Sequence, residues 1–442
     1  MVFTKYEDSI NWIHDRLKFG VKPGLKRMEW LLNELGHPEN NIPTIHVAGT
    51  NGKGSTISYM LHMLMEADYN VGTFTSPYIE TFNERISING QPITDDEMLQ
   101  LVNEVKPYVE KIEETDLGSP TEFEIITTMM FLYFGKVNKP DFLLLETGLG
   151  GRLDSTNIID PIISVITNIG YDHMNILGNT ITEITREKAG IIKKGKPIFT
   201  AAEKEEALDV LAQTAKEREA PCYSLGTDIS IKNLSTWEQG EMFTIQTKHN
   251  TYEDVKIKMR GNHQIKNAAL AISVIDYLMD QGVVKITIDQ VLVGIKKSIW
   301  KGRFELIQEN PVVIVDGAHN DEGIESLIDT ANRHYSHSRI HILFSALSDK
   351  NYKKMIERLS TVATSMHFTT FEFPRAAKAE DLFSACDLED KSFSESWQEL
   401  LDELVFSYKN EKSDIIIVTG SLYFISTIRN YLLSNKSTEI NK

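Results

Sequence analysis

The stretch TIHVAGTNGKGSTISYMLHMLM, residues 44–65, decides the fold of the chain. Ile45 and Val47 alternate with polar neighbours, which predicts a half-buried strand. The segment GTNGKGS follows at residues 49–55, and apolar residues behind it recur at helical spacing. The stretch is therefore predicted to form a strand, a glycine-rich turn and a helix.

A turn of this kind presents backbone N–H groups and a helix N-terminus to an anion. Three glycines lack a Cβ atom and let the backbone approach phosphate oxygens closely: Gly49, Gly52 and Gly54. Lys53 can contact the outer phosphates of a nucleotide, and Ser55 or Thr56 can reach a Mg²⁺ ion. The common phosphate-binding pattern has Gly where Val47 stands and Ser or Thr where Gly54 stands, so a plain tight turn with an exposed lysine is the alternative.

Composition narrows the class of protein. The 442 residues carry 46 basic and 63 acidic side chains, a net charge of -17, which argues against a nucleic-acid or anionic-membrane partner held by bulk charge. Anionic small substrates remain compatible, because they respond to the local field. The two cysteines, Cys222 and Cys386, favour a reducing compartment. No signal-peptide pattern and no membrane-length apolar run is apparent, so we expect a cytoplasmic soluble protein.

The order of segments predicts two α/β domains. Continuous apolar runs such as FLLLE and IISVI, each ending in polar residues, are typical of parallel strands that are buried on both faces. Residues 298–307, SIWKGRFELI, are interpreted as a domain junction. We predict a P-loop-type, parallel-sheet ATP-binding domain at residues 1–297 and a smaller, Rossmann-like α/β domain at residues 298–442.

Polar side chains at the ends of the predicted strands suggest a metal site. Ser76, Glu146 and His173 each follow an apolar run, and the carboxyl ends of parallel strands meet at one sheet edge. These side chains and Lys53 are therefore expected to converge around the phosphates and to bind Mg²⁺, with Glu146 placed like a Walker-B acid. A strand-end glutamate as a solvated cap, and a histidine without chemical function, are the alternatives.

A series of short motifs is more specific than any single residue. In chain order they are FGVKPGLKRM, HVAGTNGKGS, FTSPYIETFNERI, ETGLGGRLDSTN, TNIGYDHM, REKAGIIK, GNHQIKNAALA, WKGRFE, DGAHN, SALSDK and TGSLYF. Together they resemble the folylpolyglutamate synthase/dihydrofolate synthase branch of the Mur ligases, a family of ATP-dependent amide-forming ligases. Gly54 after the lysine is the pattern of that family.

The resemblance implies roles around the nucleotide. The residues that it implies for ATP binding are Gly49, Thr50, Asn51, Gly52, Lys53, Gly54, Ser55, Asn267, Arg303 and Asp316. Ser76, Glu146 and His173 would bind Mg²⁺, for which two ions are expected. Lys188 in REKAG matches a lysine that family members carbamylate, which would turn a cation into an anion facing the metal. The catalytic set implied is Lys53, His173, Lys188, Arg303 and His319.

The resemblance also implies substrate contacts. His319, Ser421 and Tyr423 would face an incoming L-glutamate. The residues that would border the pteridine-bearing substrate, a folate or dihydropteroate, are Arg85, Thr121, Phe123, Leu153, Asp154 and Ser155.

The hypothesis is an ATP- and Mg²⁺-dependent ligase that adds L-glutamate to the γ-carboxylate of a reduced folate through an acyl phosphate. Whether dihydropteroate is also an acceptor stays open at this stage. The rivals are another Mur-type amino-acid ligase, such as one that builds peptidoglycan precursors, and a nucleotide-dependent switch without ligase chemistry. The family implies a monomer.

Overall fold

The structure is a computed structural model that describes residues 2–20, 22–40, 42–409, 411 and 413–440. Two compact units are present. The first comprises Met1–Thr236, Met242–Ile257 and Lys266–Ser298, and the second comprises Trp237–Glu241, Lys258–Ile265 and Ile299–Lys442. No helix among the described residues has the length and apolar character that crossing a membrane requires.

Helices surround a large sheet in the first unit. The helices that lie wholly or mostly in it are α1 Tyr6–His14, α2 Lys26–Glu34, α3 Lys53–Glu66, α4 Asp95–Glu113, α5 Glu122–Leu132, α6 Met174–Leu177, α7 Ile181–Ala189, α8 Glu205–Glu217, α9 Asn262–Asp280 and α10 Ile288–Lys297. The strands of its large sheet are β1 Thr44–Ala48, β2 Val71–Phe74, β3 Ile86–Ile88, β4 Gln91–Pro92, β5 Phe142–Glu146, β6 Ile163–Ile166, β7 Ile198–Thr200 and β8 Cys222–Ser224.

The strand predicted from residues 44–48 lies inside this sheet. The spatial order is β4-β3-β2-β5-β1-β6-β7-β8, and β1 pairs in parallel with both β5 and β6. Every residue of β1 is buried, because neighbours flank it on both sides and helices cover the sheet. Since β2, β5, β1 and β6 all run parallel, their carboxyl ends meet at one edge.

A hairpin and a smaller sheet complete most of the first unit. β3 and β4 form a hairpin at the edge of the sheet, and the turn between them has Asn89 and Gly90 at positive φ. A separate three-stranded sheet, in the order β11-β10-β9, contains β9 Ser230–Trp237, β10 Gly240–Gln246 and β11 Thr251–Ile257.

The second unit repeats the α/β pattern on a smaller scale. Its strands are β12 Glu305–Glu309, β13 Val312–Val315, β14 Arg339–Phe344, β15 Ser365–Thr369, β16 Lys391–Ser394 and β17 Asp414–Thr419. Its helices are α11 Asp321–His334, α12 Tyr352–Leu359, α13 Ala379–Ser384, α14 Trp397–Tyr408 and α15 Leu422–Ile440.

The sheet of the second unit has the order β12-β13-β17-β14-β15-β16. All neighbouring strands are parallel except for the β12–β13 pair. The predicted fold class, two α/β domains built on parallel sheets, is confirmed. The antiparallel edge strand β12 is an addition that the predicted pattern of the second domain did not contain.

Candidate active site

The phosphate loop, residues 49–55, joins β1 to α3 and is shaped by two glycines. α3 begins at Lys53, and its N-cap is Gly52 in the left-handed region with φ of 86° and no capping side chain. A Cβ atom on Gly49 would lie 1.9 Å from Thr167 Oγ1, and one on Gly52 would lie 2.4 Å from Asn267 Oδ1. Glycine is therefore required at both positions, and the start of α3 provides the backbone N–H groups of an anion site.

Residues after β6 hold the phosphate loop in place. The backbone N–H of Thr50 donates to Asn168 O at 3.0 Å, and that of Asn51 donates to Asn168 Oδ1 at 2.7 Å. Thr167 Oγ1 donates to Asn51 O at 2.6 Å. Sequence reasoning did not assign Asn168 a role. The sequence feature that could have indicated this contact is the pair Thr167-Asn168, which directly follows a buried strand.

Lys53, Ser76 and Glu146 come together at the ends of adjacent strands. Lys53 Nζ donates to Gly49 O at 3.2 Å and lies 3.8 Å from Glu146 Oε1. The other carboxylate oxygen of Glu146 accepts from the backbone N–H of Ser76 at 3.0 Å. The expected grouping is therefore present for these three residues, and the convergence of His173 with them stays a prediction.

Lys188 lies beside Lys53 although it is on a different element. It is buried on α7, and its Nζ donates at 3.0 Å to the same Gly49 carbonyl that Lys53 contacts. Burial and, to a smaller extent, the charge of Lys53 lower the pKa of Lys188 to about 7, although Asp172 and Asp154 oppose the shift. A large fraction of this amine is therefore neutral near pH 7.

His173 occupies the start of a short helix. It is the N-cap of α6 with φ of 50°, its side chain is about half exposed, and its Nε2 lies 3.9 Å from Asp172 Oδ2. Among the residues that the structure describes, no group of three or more His, Cys, Asp or Glu is arranged to hold a metal. A Mg²⁺ site here would depend on Glu146, a hydroxyl such as that of Ser76, and phosphate oxygens, which are the hard oxygen ligands that Mg²⁺ prefers.

The residues predicted to border the acceptor lie in separate segments of the first unit. Arg85 Nη2 contacts Glu122 Oε1 at 3.1 Å, and Thr121 caps α5 by accepting from the Glu124 N–H. Phe123 packs against the chain after β5, where a Cβ atom on Gly148 would lie 2.5 Å from the ring.

The acceptor loop, residues 148–157 with the sequence GLGGRLDSTN, contains the other three predicted residues, Leu153, Asp154 and Ser155. The Asp154 carboxylate accepts from Leu149 N at 2.7 Å, and from the N–H and Oγ1 of Thr156 at 3.0 and 2.5 Å. Burial raises the pKa of Asp154. This carboxylate is thus occupied within its own loop, and its contact with a substrate stays a prediction.

In the second unit, the predicted residues gather where β13 and β17 end side by side. Asp316 accepts from the N–H groups of Phe304 at 2.7 Å and Ala318 at 2.9 Å, and burial raises its pKa while Arg303 opposes the shift. His319 Nδ1 lies 2.8 Å from Gly317 O, and a Cβ atom on Gly317 would lie 2.5 Å from Arg303 Nη1.

The end of β17 supplies the remaining predicted residues. Gly420 N donates to Ala318 O at 3.1 Å, which places Ser421 next to the end of β13. Tyr423, in the first turn of α15, stacks on Phe373 with ring centroids 4.4 Å apart. Phe373 is a neighbour that sequence reasoning did not identify.

Comparisons with known proteins cover both units. The Mur ligase middle domain matches residues 47–275, and the Mur ligase glutamate ligase domain matches residues 302–422. The dihydrofolate synthase/folylpolyglutamate synthase of Bacillus subtilis is 51% identical over 98% of this chain and 100% of its own length. The folylpolyglutamate synthase of Lacticaseibacillus casei is 33% identical over the same shares.

Solved structures agree with these matches. Mycobacterium tuberculosis folylpolyglutamate synthase, complexed with ADP and AMPPCP, has a TM-score of 0.90 at 27% identity over 97% of this chain and 99% of that chain. An FPGS–AMPPCP–folate complex has a TM-score of 0.84 at 32% identity over 97% and 100%. The chain therefore belongs to the folylpolyglutamate synthase/dihydrofolate synthase family, the ATP-dependent amide-forming ligases of Mur type that its motifs indicated.

Proposed function

We propose that this enzyme ligates L-glutamate to the γ-carboxylate of reduced folates with ATP, and that it also adds glutamate to dihydropteroate. The observation that carries the proposal is the 51% identity to a Bacillus subtilis relative named for both activities, which extends over 98% of this chain. The candidate sites of both units fall within that span. Folate and nucleotide analogues bound to a relative of similar fold support the same substrate class.

The chemistry requires activation of a carboxylate. A carboxylate is a poor acyl donor because its leaving group would be oxide. A carboxylate oxygen of the folate therefore attacks the γ-phosphorus of ATP, the bond to the β-γ bridging oxygen breaks, and ADP leaves with that electron pair. The glutamate amine then attacks the acyl carbon, and the tetrahedral intermediate collapses to an amide and inorganic phosphate.

The residues of the first unit match the demands of the first step. Negative charge is spread over the phosphoryl oxygens in its transition state, so positive groups and N–H donors must be in place beforehand. Lys53 and the N-terminus of α3 supply them. Ser76, Glu146 and His173 are the proposed Mg²⁺ ligands, and bound Mg²⁺ would neutralise phosphate charge.

Lys188 is proposed to carry a carbamate. Its neutral amine would form an N–C bond with carbon dioxide and lose a proton, which replaces a cation by an anion. The lowered pKa of Lys188 makes neutral amine available, and its position beside Lys53 makes a second positive charge unfavourable there.

The residues of the second unit fit the second step. We assign glutamate binding to Ser421 and Tyr423, and proton removal from its ammonium group to His319 or a carboxylate. Arg303 and Asp316 are assigned to the nucleotide. A monomeric state and a cytoplasmic location remain predictions that accompany this proposal.

The test is ATP-dependent phosphate release in the presence of glutamate, with tetrahydrofolate, dihydropteroate or a UDP-muramoyl peptide as the acceptor. Release with both pteridine acceptors is expected. Release with tetrahydrofolate alone would remove the dihydropteroate activity. Release only with the muramoyl acceptor would make the enzyme another Mur-type ligase, and no release with any acceptor would favour the nucleotide switch.

A further inference from the structure

A buried hydrogen-bonded chain connects the strand of the phosphate loop to the acceptor loop. His46 lies on β1, the strand that runs directly into the phosphate loop, and its Nε2 is 2.8 Å from Thr156 Oγ1. Thr156 Oγ1 is in turn 2.5 Å from Asp154 Oδ1. His46 and Thr156 are fully buried, and Asp154 is nearly so. None of the roles described above uses His46 or Thr156.

The direction of each hydrogen bond follows from chemistry. Asp154 Oδ1 accepts both the backbone N–H and the hydroxyl of Thr156, so the hydroxyl proton of Thr156 points to it. Thr156 Oγ1 must then accept the Nε2 proton of His46. This hydrogen bond fixes the His46 ring in the tautomer that carries its proton on Nε2. The pKa of His46 is lowered to about 3 by burial, so the ring is neutral near pH 7. Its Nδ1 atom is buried without a hydrogen-bond partner, which leaves Thr156 as the polar contact that orients the ring.

The acceptor loop is fixed on its other sides as well. Arg152 N donates to Glu187 O at 2.7 Å, and a Cβ atom on Gly151 would lie 2.8 Å from Lys188 O. The loop therefore lies against Phe123 at its beginning, against the C-terminal turn of α7, and against β1 through Thr156.

We propose that Thr156, held by His46, is a positioning residue that fixes the acceptor loop to the strand of the phosphate loop. It would thereby align the acceptor carboxylate with the γ-phosphate of ATP. This inference rests on the proposed function, because it assigns the acceptor to this loop. Rigid attachment of both reactants to one buried strand is an efficient way to reach a reactive geometry, and misplacement by about 1 Å can cost about a hundredfold in rate.

The test compares Thr156→Val with Thr156→Ser and with a matched control, Thr44→Val. Valine has nearly the volume of threonine but can neither donate to Asp154 nor accept from His46, whereas serine retains the hydroxyl. Thr44 is a buried threonine on β1, the strand of His46, and its hydroxyl donates only locally, to Ile42 O at 2.9 Å.

Thr156→Val is expected to lower kcat/KM for the pteridine acceptor by about tenfold or more, while the KM values for ATP and glutamate stay within about twofold. Thr156→Ser is expected to restore most of the loss, and Thr44→Val to change acceptor kinetics little. Equal acceptor kinetics for the two valine variants, or no rescue by serine, would reduce Thr156 to a structural role and overturn the proposal.

Amide hydrogen exchange provides a measurement that does not need turnover. Exchange in residues 148–157 is expected to accelerate in Thr156→Val, because Asp154 loses a donor, and to remain unchanged in Thr44→Val. Unchanged exchange in Thr156→Val would also overturn the proposal. If the wild-type enzyme uses no pteridine acceptor, the proposed function fails, while the exchange measurement still reports whether Thr156 fixes the loop.

Discussion

At the scale of single residues, the most informative feature is the convergence of two lysines on one carbonyl group. Lys53 and Lys188 come from α3 and α7, and both donate to Gly49 O. The position of Lys53 at the start of α3 was predictable, because it follows from a local sequence pattern. The contact of Lys188 with Gly49 was not, since residues far apart in sequence meet only through tertiary packing.

Lys53→Ala is expected to reduce the ligation rate by about a hundredfold or more, because the positive charge that faces the transferring phosphoryl group is lost. The fold is expected to stay intact. Phosphate release measures the rate, and circular dichroism with thermal unfolding checks the fold. A variant that folds and retains a near-normal rate would remove the phosphate-loop assignment.

Lys188 in active enzyme is expected to carry one added carboxylate group, since a large fraction of its buried amine is neutral near pH 7. Native mass spectrometry at neutral pH, in bicarbonate buffer, should detect the added mass in wild type and its absence in Lys188→Arg. An unmodified side chain in fully active enzyme would contradict the carbamate.

His46 leads to a pH-dependent difference in stability. Its pKa falls from the usual 6.5 to about 3 on folding, so the unfolded state binds the proton first and folded-state stability is lost as pH falls from about 6.5 toward 3. The His46→Gln variant has no titrating side chain at this position, so it does not lose stability in this way as the pH falls. The variant should be less stable than wild type at pH 7, and the gap in unfolding free energy should close by about 3 kcal/mol at pH 4.5. Urea unfolding at both pH values measures the gap, and a gap that is independent of pH would contradict a buried neutral His46.

At the scale of elements, two glycines with positive φ differ in the space around them: Gly52 in the phosphate loop and Gly36 after α2. Gly52 has φ of 86° and a Cβ atom there would meet Asn267, whereas Gly36 has φ of 76° and open space around it. Gly52→Ala and Gly36→Ala should therefore suffer similar backbone strain, of about 1–2 kcal/mol. Only Gly52→Ala should weaken AMPPCP binding, by about tenfold or more, because the loop must move away from Asn267. Calorimetry of both variants tests this, and equal affinities would contradict the tight loop geometry.

Some elements carry clear local signals in the sequence, whereas edge strands lack them. Thr94 and Glu97 form the capping box that the pattern of this helix start requires, and α4 begins at Asp95. By contrast, β16 is short, polar and only partly buried, so its residues lack the apolar run of a central strand. β12 is antiparallel and was included in the predicted domain junction, where its register is interrupted between Leu306 and Gln308.

At the scale of the whole molecule, the two α/β domains and the family followed from the order of motifs. The site was predictable only in part. Lys53, Ser76 and Glu146 were expected to meet because parallel strands end at one edge, and they do. The buried link from His46 through Thr156 to Asp154 was not predictable, because each of these residues looks ordinary in its own segment.

The net charge of -17 is a property of the whole molecule that affects which ligands it attracts. Bulk acidity weakens nonspecific attraction of polyanions, while anionic substrates respond to local groups. The groups that we propose for this are Lys53 and the N-terminus of α3 in the first unit, and Arg303 in the second unit. A protein of strongly negative charge can thus still bind ATP and folate.

The measurement that tests the central claim most directly follows oxygen from the acceptor into phosphate. Tetrahydrofolate labelled with ¹⁸O in both γ-carboxylate oxygens is ligated to glutamate, and the phosphate released is examined by mass spectrometry. An acyl phosphate transfers one labelled oxygen to each phosphate and leaves the other in the amide product. Phosphate without label, formed together with the ligated product, would contradict the acyl phosphate pathway.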